Sequence, residues 1–240
     1  MRPIYLIAKR ELGAYLRTMT GWVIIALVLA VDGMLFNGYV LGNGERRSSE
    51  VLRDFFYIAS GTTMISSVFI SMRLIAEERQ TGTIQLLYSS PVKDHQIILG
   101  KYLSALAFLA ILTLSTVYMP LLIFVNGKIS LGHMAAGYLG LMLLGSAAIA
   151  IGTFGSTLAG SQVLAAIING SMIVAIVVAW LLGRISERPF SEIFGALALW
   201  QHFMGFQSGI LHLKDVVYYL AVTYVALFAA MRVLEARRWR

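Results

Sequence analysis

The 240-residue chain contains no cysteine. Structural disulfides, thiolate metal sites and a cysteine nucleophile are thereby excluded. It is also poor in charge. Asp, Glu, Lys and Arg make up 13% of it, against about 25% in an ordinary soluble domain. That is too little to cover a water-facing surface, and it argues against a disordered chain, a coiled coil or an ordinary soluble enzyme. Catalytic spacings are missing as well. His95, His133, His202 and His212 are scattered and form no His-Glu-x-x-His pattern. Gly205-Phe-Gln-Ser-Gly209 places its serine wrongly for Gly-x-Ser-x-Gly, and His212 lies too near in sequence to be its natural partner. No Gly-x-x-x-x-Gly-Lys-Ser/Thr occurs, since Gly100-Lys101 lacks the upstream glycine and runs into Tyr102. The chain therefore carries no P-loop for ATP.

Apolar residues are abundant, at 58%, with a mean hydropathy of +0.77. A membrane span needs about 20 mainly apolar residues. Six such runs are present, near 22–41, 55–75, 102–125, 134–158, 163–183 and 216–234. Only Ala159-Gly-Ser-Gln162 separates the fourth from the fifth, which suits a tight helical hairpin. Residues 1–20 carry Arg2, Lys9, Arg10, Glu11 and Arg17, too many charges for the apolar core of a cleavable signal peptide. Ala8, Leu12, Tyr15, Leu16 and Met19 share a helical face there, which predicts an amphipathic helix in the interface; a merely charged flank to the first span is the alternative. The expected fold is thus an all-α membrane protein with six transmembrane helices and an N-terminal interfacial helix.

Net charge is +7. With both termini placed inside, 12 of the 19 Lys and Arg fall inside and 7 outside, while acids divide five to six with Asp32 in the membrane. The positive excess lies on one face, so both termini are expected in the cytoplasm. A nucleic-acid partner is not expected, because no soluble domain is left to bind one.

Two connections are unusual. Residues 76–101 form the one large inner loop, with Glu77, Glu78 and Arg79, then Gly82, the apolar run Ile84–Tyr88 and the stop at Pro91. A short helix of this kind suits either docking to a partner or resting on lipid headgroups. Residues 184–215 are too apolar for a solvated loop and too interrupted, by Gly195, Gly205 and Gly209, for a span. Short helices in the outer leaflet fit, acting as a lid over an exit path or as a seal on helix ends. The polar stretch 42–54 reads as an ordinary connection. Asp32 is the one acid inside a span. It is a candidate path-lining or coupling residue, or it pairs with a polar helix face such as Asn37 or Asn169. Gly38–Gly42 and Ser156–Gly160 have the small-xxx-small spacing of close helix packing. The eleven methionines read mostly as span filler.

The stretch Met72-Arg-Leu-Ile-Ala-Glu-Glu-Arg-Gln-Thr-Gly-Thr-Ile-Gln-Leu-Leu-Tyr-Ser-Ser-Pro-Val92, followed by Ile97-Ile-Leu-Gly-Lys-Tyr102, resembles the signature of ABC-2 type permeases. It is most similar to the gliding-motility-associated (GldF-like) branch. There the pattern is Met-Arg, Ala-Glu-Glu, a basic residue, Gly-Thr, a leucine pair, Ser-Pro-Val and a late Gly-Lys. The resemblance implies a single ABC-2 transmembrane domain over residues 1–240 in the bacterial inner membrane, paired with a second permease copy as a homodimer or similar heterodimer. Two separate ABC ATPase subunits would dock beneath, and they would bind the ATP and Mg²⁺, leaving this chain without a cofactor. The loop's Glu77, Glu78, Arg79, Gly82, Thr83, Leu86, Leu87, Tyr88 and Pro91 would form the ATPase-coupling element. Glu77, Glu78 and Arg79 would make charged contacts to the ATPase. Spans one and five would line the central path, and an auxiliary membrane protein with a periplasmic domain would be a third partner. The expected function is ATP-driven export. Mechanotransmission to a periplasmic partner is the alternative within the class. A secondary transporter or channel would need paired buried charges or internal repeats, which the sequence does not show, and a structural anchor is the remaining option.

Overall fold

The computed structural model describes residues 2–41, 47–89, 92–126, 130–187 and 190–238. Among these residues the chain is helical throughout, without strands. It opens with α1 (Arg2–Arg17) and α2 (Met19–Leu35), which passes into a π-helical turn at Phe36–Leu41. Then come α3 (Ser48–Ser71), the short α4 (Ala76–Gln80) and α5 (Ile84–Ser89), and α6 (Asp94–Ser115) with α7 (Tyr118–Asn126). The second half holds α8 (Leu131–Leu158), α9 (Gln162–Ile185), α10 (Phe190–Leu197), α11 (Leu199–Gln207) and α12 (Leu213–Arg238). Six of these runs are long and apolar enough to cross a membrane, so the chain is a multi-pass membrane protein.

The expected hairpin between the fourth and fifth spans is present, with α8 ending at Leu158 and α9 starting at Gln162. Several boundaries differ. The inner loop is shorter than 76–101, because α6 starts at Asp94 and takes Lys101 into its third turn. The third span is broken rather than continuous. Pro120 has no N–H to donate, and in an unbroken helix its ring would strike the Thr116 carbonyl, so the chain turns at 116–117. The stretch expected as a polar connection up to Asp54 is helical from Ser48, and residues 42–46 lie outside the described ones. Met19 belongs to α2 and is exposed rather than sharing the buried face of α1.

Helix α8 is the centre of the bundle: α3, α6, α9, α11 and α12 all pack on it. In lipid, helices gain little from the hydrophobic effect and associate through close packing, which small residues allow. The buried side of α8 is mostly Gly, Ala, Ser and Thr, with Leu141, Leu144 and Ile149 among them. A Cβ on Gly137 would collide with the Phe56 ring of α3, and one on Gly152 with the Ser71 side chain of the same helix. Two apolar clusters stack along the bundle. One joins α1, α6 and the last turns of α12, around Tyr15, Phe108 and Leu234. The other joins α3, α8, α11 and α12 at the opposite end, around Phe55, Phe203 and Tyr219.

Between α9 and α12 lie the two short helices α10 and α11, and they are pinned in place. His202 Nδ1 lies 2.7 Å from Asp215 Oδ1. The Tyr218 and Tyr219 hydroxyls donate to Leu197 O at 2.9 Å and Leu199 O at 2.7 Å. Gln207 Nε2 donates to Arg53 O at 3.1 Å. A positive φ of 78° at Gly209 reverses the chain toward α12.

Gly137→Ala separates packing from helix propensity. Propensity alone stabilises the variant by up to about 1 kcal/mol. The collision with Phe56 instead costs about 1–3 kcal/mol, and a lowered Tm in detergent is the expected result.

Candidate functional site

Sequence placed function in the loop after the second span, and the structure gives that loop an ionic foundation. Lys101 sits in an apolar stretch of α6, Ile97-Ile-Leu-Gly-Lys-Tyr-Leu, and is 1% exposed. A buried ammonium must be paired or become neutral. Its Nζ lies 2.9 Å from Glu78 Oε1 of α4 and 3.3 Å from Glu11 Oε1 of α1. Arg10 closes the group, 2.6 Å from Glu11 and 3.6 Å from Glu78. Two cations and two carboxylates therefore sum to zero, and three elements distant in sequence meet at one point. Helix α1 can lie this close because Gly100 has no side chain to oppose Ile7.

A second layer lies beside it. Arg73 forks onto Glu77, with Nε 2.9 Å from Oε2 and Nη2 3.1 Å from Oε1. Its guanidinium stands 5.4 Å from the Tyr15 ring centre. The Tyr15 hydroxyl donates to Ile70 O at 2.7 Å, and its ring stacks on Phe108 at 4.9 Å. Between the layers is a cavity of about 230 Å³, lined by Glu11, Arg73, Glu78, Thr81 and Lys101 among others. Arg73 Nη1 and Glu78 Oε2 are buried without a hydrogen-bond partner among the described residues. The cavity is polar and has room for water.

Burial pushes the Glu11 carboxyl up, but the Lys101 ammonium and the charge and hydrogen bond of Arg10 outweigh it, so the group sits below its ordinary value. The Arg10 guanidinium is raised, first by its hydrogen bond to Glu11. Burial raises the Tyr15 phenol.

The residues singled out from sequence have the following places. Glu77, Glu78 and Arg79 are on α4, and all three have partners inside the chain; Arg79 Nη1 donates to Thr157 O at 2.6 Å and Ala159 O at 3.1 Å. Gly82 takes φ 73°, which makes the turn into α5. Thr83 is hydrogen-bonded to Thr81 at 2.9 Å. Leu86, Leu87 and Tyr88 fall on α5, but their side chains lie outside the description, as does Pro91 altogether. Asp32 faces the bundle interior, 3% exposed, beside Thr62. It pairs with neither expected asparagine: Asn169 donates to Ser71 Oγ at 3.0 Å, and Asn37 is exposed. It lies apart from the Lys101 group.

Sequence reading missed Glu11, Lys101 and Arg73 as site residues. A lysine flanked on both sides by apolar residues was the available signal, because such a charge must find a partner when its helix is buried.

A family model described as ABC-2 family transporter protein matches residues 5–185, from α1 through α9. The chain belongs to the ABC-2 transporter family. Membership implies partnership with an ABC ATPase. No curated protein matches the chain. The matched residues of this ABC-2 permease include every member of the charged group.

Lys101→Met is expected to destabilise the permease by about 3 kcal/mol, because it leaves two largely buried carboxylates with only the exposed Arg10 as a counter-ion. Thermal unfolding in detergent reads this; a loss within error would mean that the group is solvated. Acidification has a definite sign. The Glu11 pKa is lowered on folding, so its stabilisation is complete above the ordinary Glu value of about 4.3 and is lost as pH falls through the lower, folded value. Stability of the wild type should therefore decline more steeply below about pH 4 than that of Glu11→Gln.

Proposed function

We propose that this chain is the membrane-spanning permease subunit of an ATP-driven exporter, and that the α4–α5 loop carries the motion of a separate ATPase into the bundle. The observation behind this reading is the Lys101 group, which fastens α4 to both α1 and α6 by buried charge. A short helix on a loose loop could be displaced without consequence, but here any displacement of α4 must move α1 and α6 with it or separate buried ions. Since Glu78 and Arg79 have partners within the chain, α4 holds the loop's position and α5, through Leu86, Leu87 and Tyr88, meets the ATPase. ATP and Mg²⁺ belong to the ATPase, for which this chain supplies no phosphate-binding loop.

Two permease copies assemble, as a homodimer or with a similar chain. The exposed apolar rows of α2 (Trp22, Val23, Leu27, Val31) and α9 (Val163, Ile167, Val174, Val178) are the faces available to a second copy or to lipid. Asp32 on α2 is a path-lining or coupling residue. The loop pattern from Met72 to Val92 supports the gliding-motility-associated branch, with an auxiliary membrane protein bearing a periplasmic domain as third partner. The charge count supports cytoplasmic termini in a bacterial inner membrane. ATP-driven change then acts on a two-state bundle whose balance is set by the partner's nucleotide state.

Leu86→Asp with Leu87→Asp is expected to abolish co-purification of the ABC ATPase while leaving the permease's Tm unchanged. Co-purification at the wild-type level would remove α5 from the docking surface.

A further inference from the structure

Both ends of α4 meet the tip of the α8–α9 hairpin, and the start of α4 and the end of α8 cap each other. A helix begins with amides and ends with carbonyls that have no partner within it. At the start of α4, Ile75 N and Ala76 N both donate to Ser156 Oγ of α8 at 3.1 Å. At the end of α8, Thr157 O and Ala159 O accept from Arg79 Nη1 of α4 at 2.6 and 3.1 Å. The Arg79 cation also faces the negative end of the α8 dipole. Gln80 Oε1 accepts from Gln162 N, the first residue of α9, at 3.1 Å. Ala76, Ala159 and Ala165 close the joint with an apolar cluster from which water is excluded. Helix α12 adds Arg237 Nη2, which donates to Leu158 O at 3.0 Å.

Sliding α4 against this hairpin would break charge-assisted hydrogen bonds and leave backbone groups unpaired in a dry contact, which is costly. We propose that Arg79 is a positioning residue that makes α4 and the α8–α9 hairpin one rigid body, so that a displacement of the loop is delivered to α8 and through it to the outer helices. This rests on the reading of the loop as the ATPase-coupling element. It identifies the helix that receives the motion: α8 also carries α3, α11 and α12, and α11 is pinned to α12 by His202 and Asp215.

Two measurements test it. In the full-length chain in lipid nanodiscs, Arg79→Gln should raise hydrogen exchange over residues 157–165 by about tenfold or more while leaving the α1–α6 contact unchanged, because the cationic donor to Thr157 O and Ala159 O is lost. Arg79→Lys, which keeps a cationic donor, should recover part of the protection. Unchanged exchange in Arg79→Gln would overturn the proposal. Because the chain has no cysteine, Gln80→Cys with Gln162→Cys can be bridged by a short bis-methanethiosulfonate reagent without other changes. In the complex with its co-purifying ABC ATPase, the bridged form should hydrolyse ATP within about twofold of the unbridged form, since a rigid joint loses nothing by being tied. Arrest of hydrolysis on bridging would show that the joint must open, and would overturn the proposal. If the unmodified chain retains no ATPase, the reading of the loop fails instead, and the exchange measurement still decides the joint.

Discussion

One buried ammonium organises the end of this molecule where α1, α4 and α6 meet. Lys101 cannot be left alone in an apolar helix, and its ion partners come from α1 and α4. A surface ion pair contributes little, because water screens it and its side chains must be ordered. Here the lysine is withdrawn from water, so the cost of separating the charges is large even where the net gain from having them is small. That asymmetry suits a mechanical connection better than a stabilising one. The group resists being pulled apart, and it specifies which three elements stay together.

The remainder of the bundle answers a different constraint. Lipid offers helices no hydrophobic reason to associate, so contact depends on how closely backbones approach. Helix α8 meets this by surrendering side chains at Gly137 and Gly152. Its end is then available to α4 through Ser156 and Arg79. Buried charge on one side of α4 and mutual capping on the other place a five-residue helix at the junction of α1, α6 and α8. The opposite end of the bundle has its own fastening, in the hydrogen bonds that tie α10 and α11 to α12.

The six spans could be read from apolar length, which is set by bilayer thickness and leaves a direct trace in the chain. So could the presence of short helices between the fifth and sixth spans, although Gly195 and Gly205 lie within α10 and α11 and the break falls at Ala198. The break before Pro120 was carried by a residue with a known steric effect, yet hydropathy alone ran the third span straight through it. The loop was identifiable from its motif, but the use made of its charges was not. In sequence Glu77, Glu78 and Arg79 read as charged contacts for a partner, and only their distances to Arg73, Lys101 and Thr157 show them to be engaged within the chain. Partners so far apart in sequence leave no periodic signal. Asp32 illustrates the same limit: its burial followed from its place in a span, while its neighbour, Thr62, depended on how α2 and α3 cross.

Lys101, Glu11 and Glu78 act as one unit that holds the loop to α1 and α6. This is tested most directly by neutralising all three at once. Glu11→Gln, Glu78→Gln and Lys101→Met in one chain remove the buried cation and both carboxylates together, so the one ion left is Arg10, whose exposed guanidinium water solvates. Unfolding followed in detergent should show the triple variant to be more stable than one carrying Lys101→Met alone, by about 2 kcal/mol or more. If the three changes destabilise additively, the side chains act independently and the loop is held by something else.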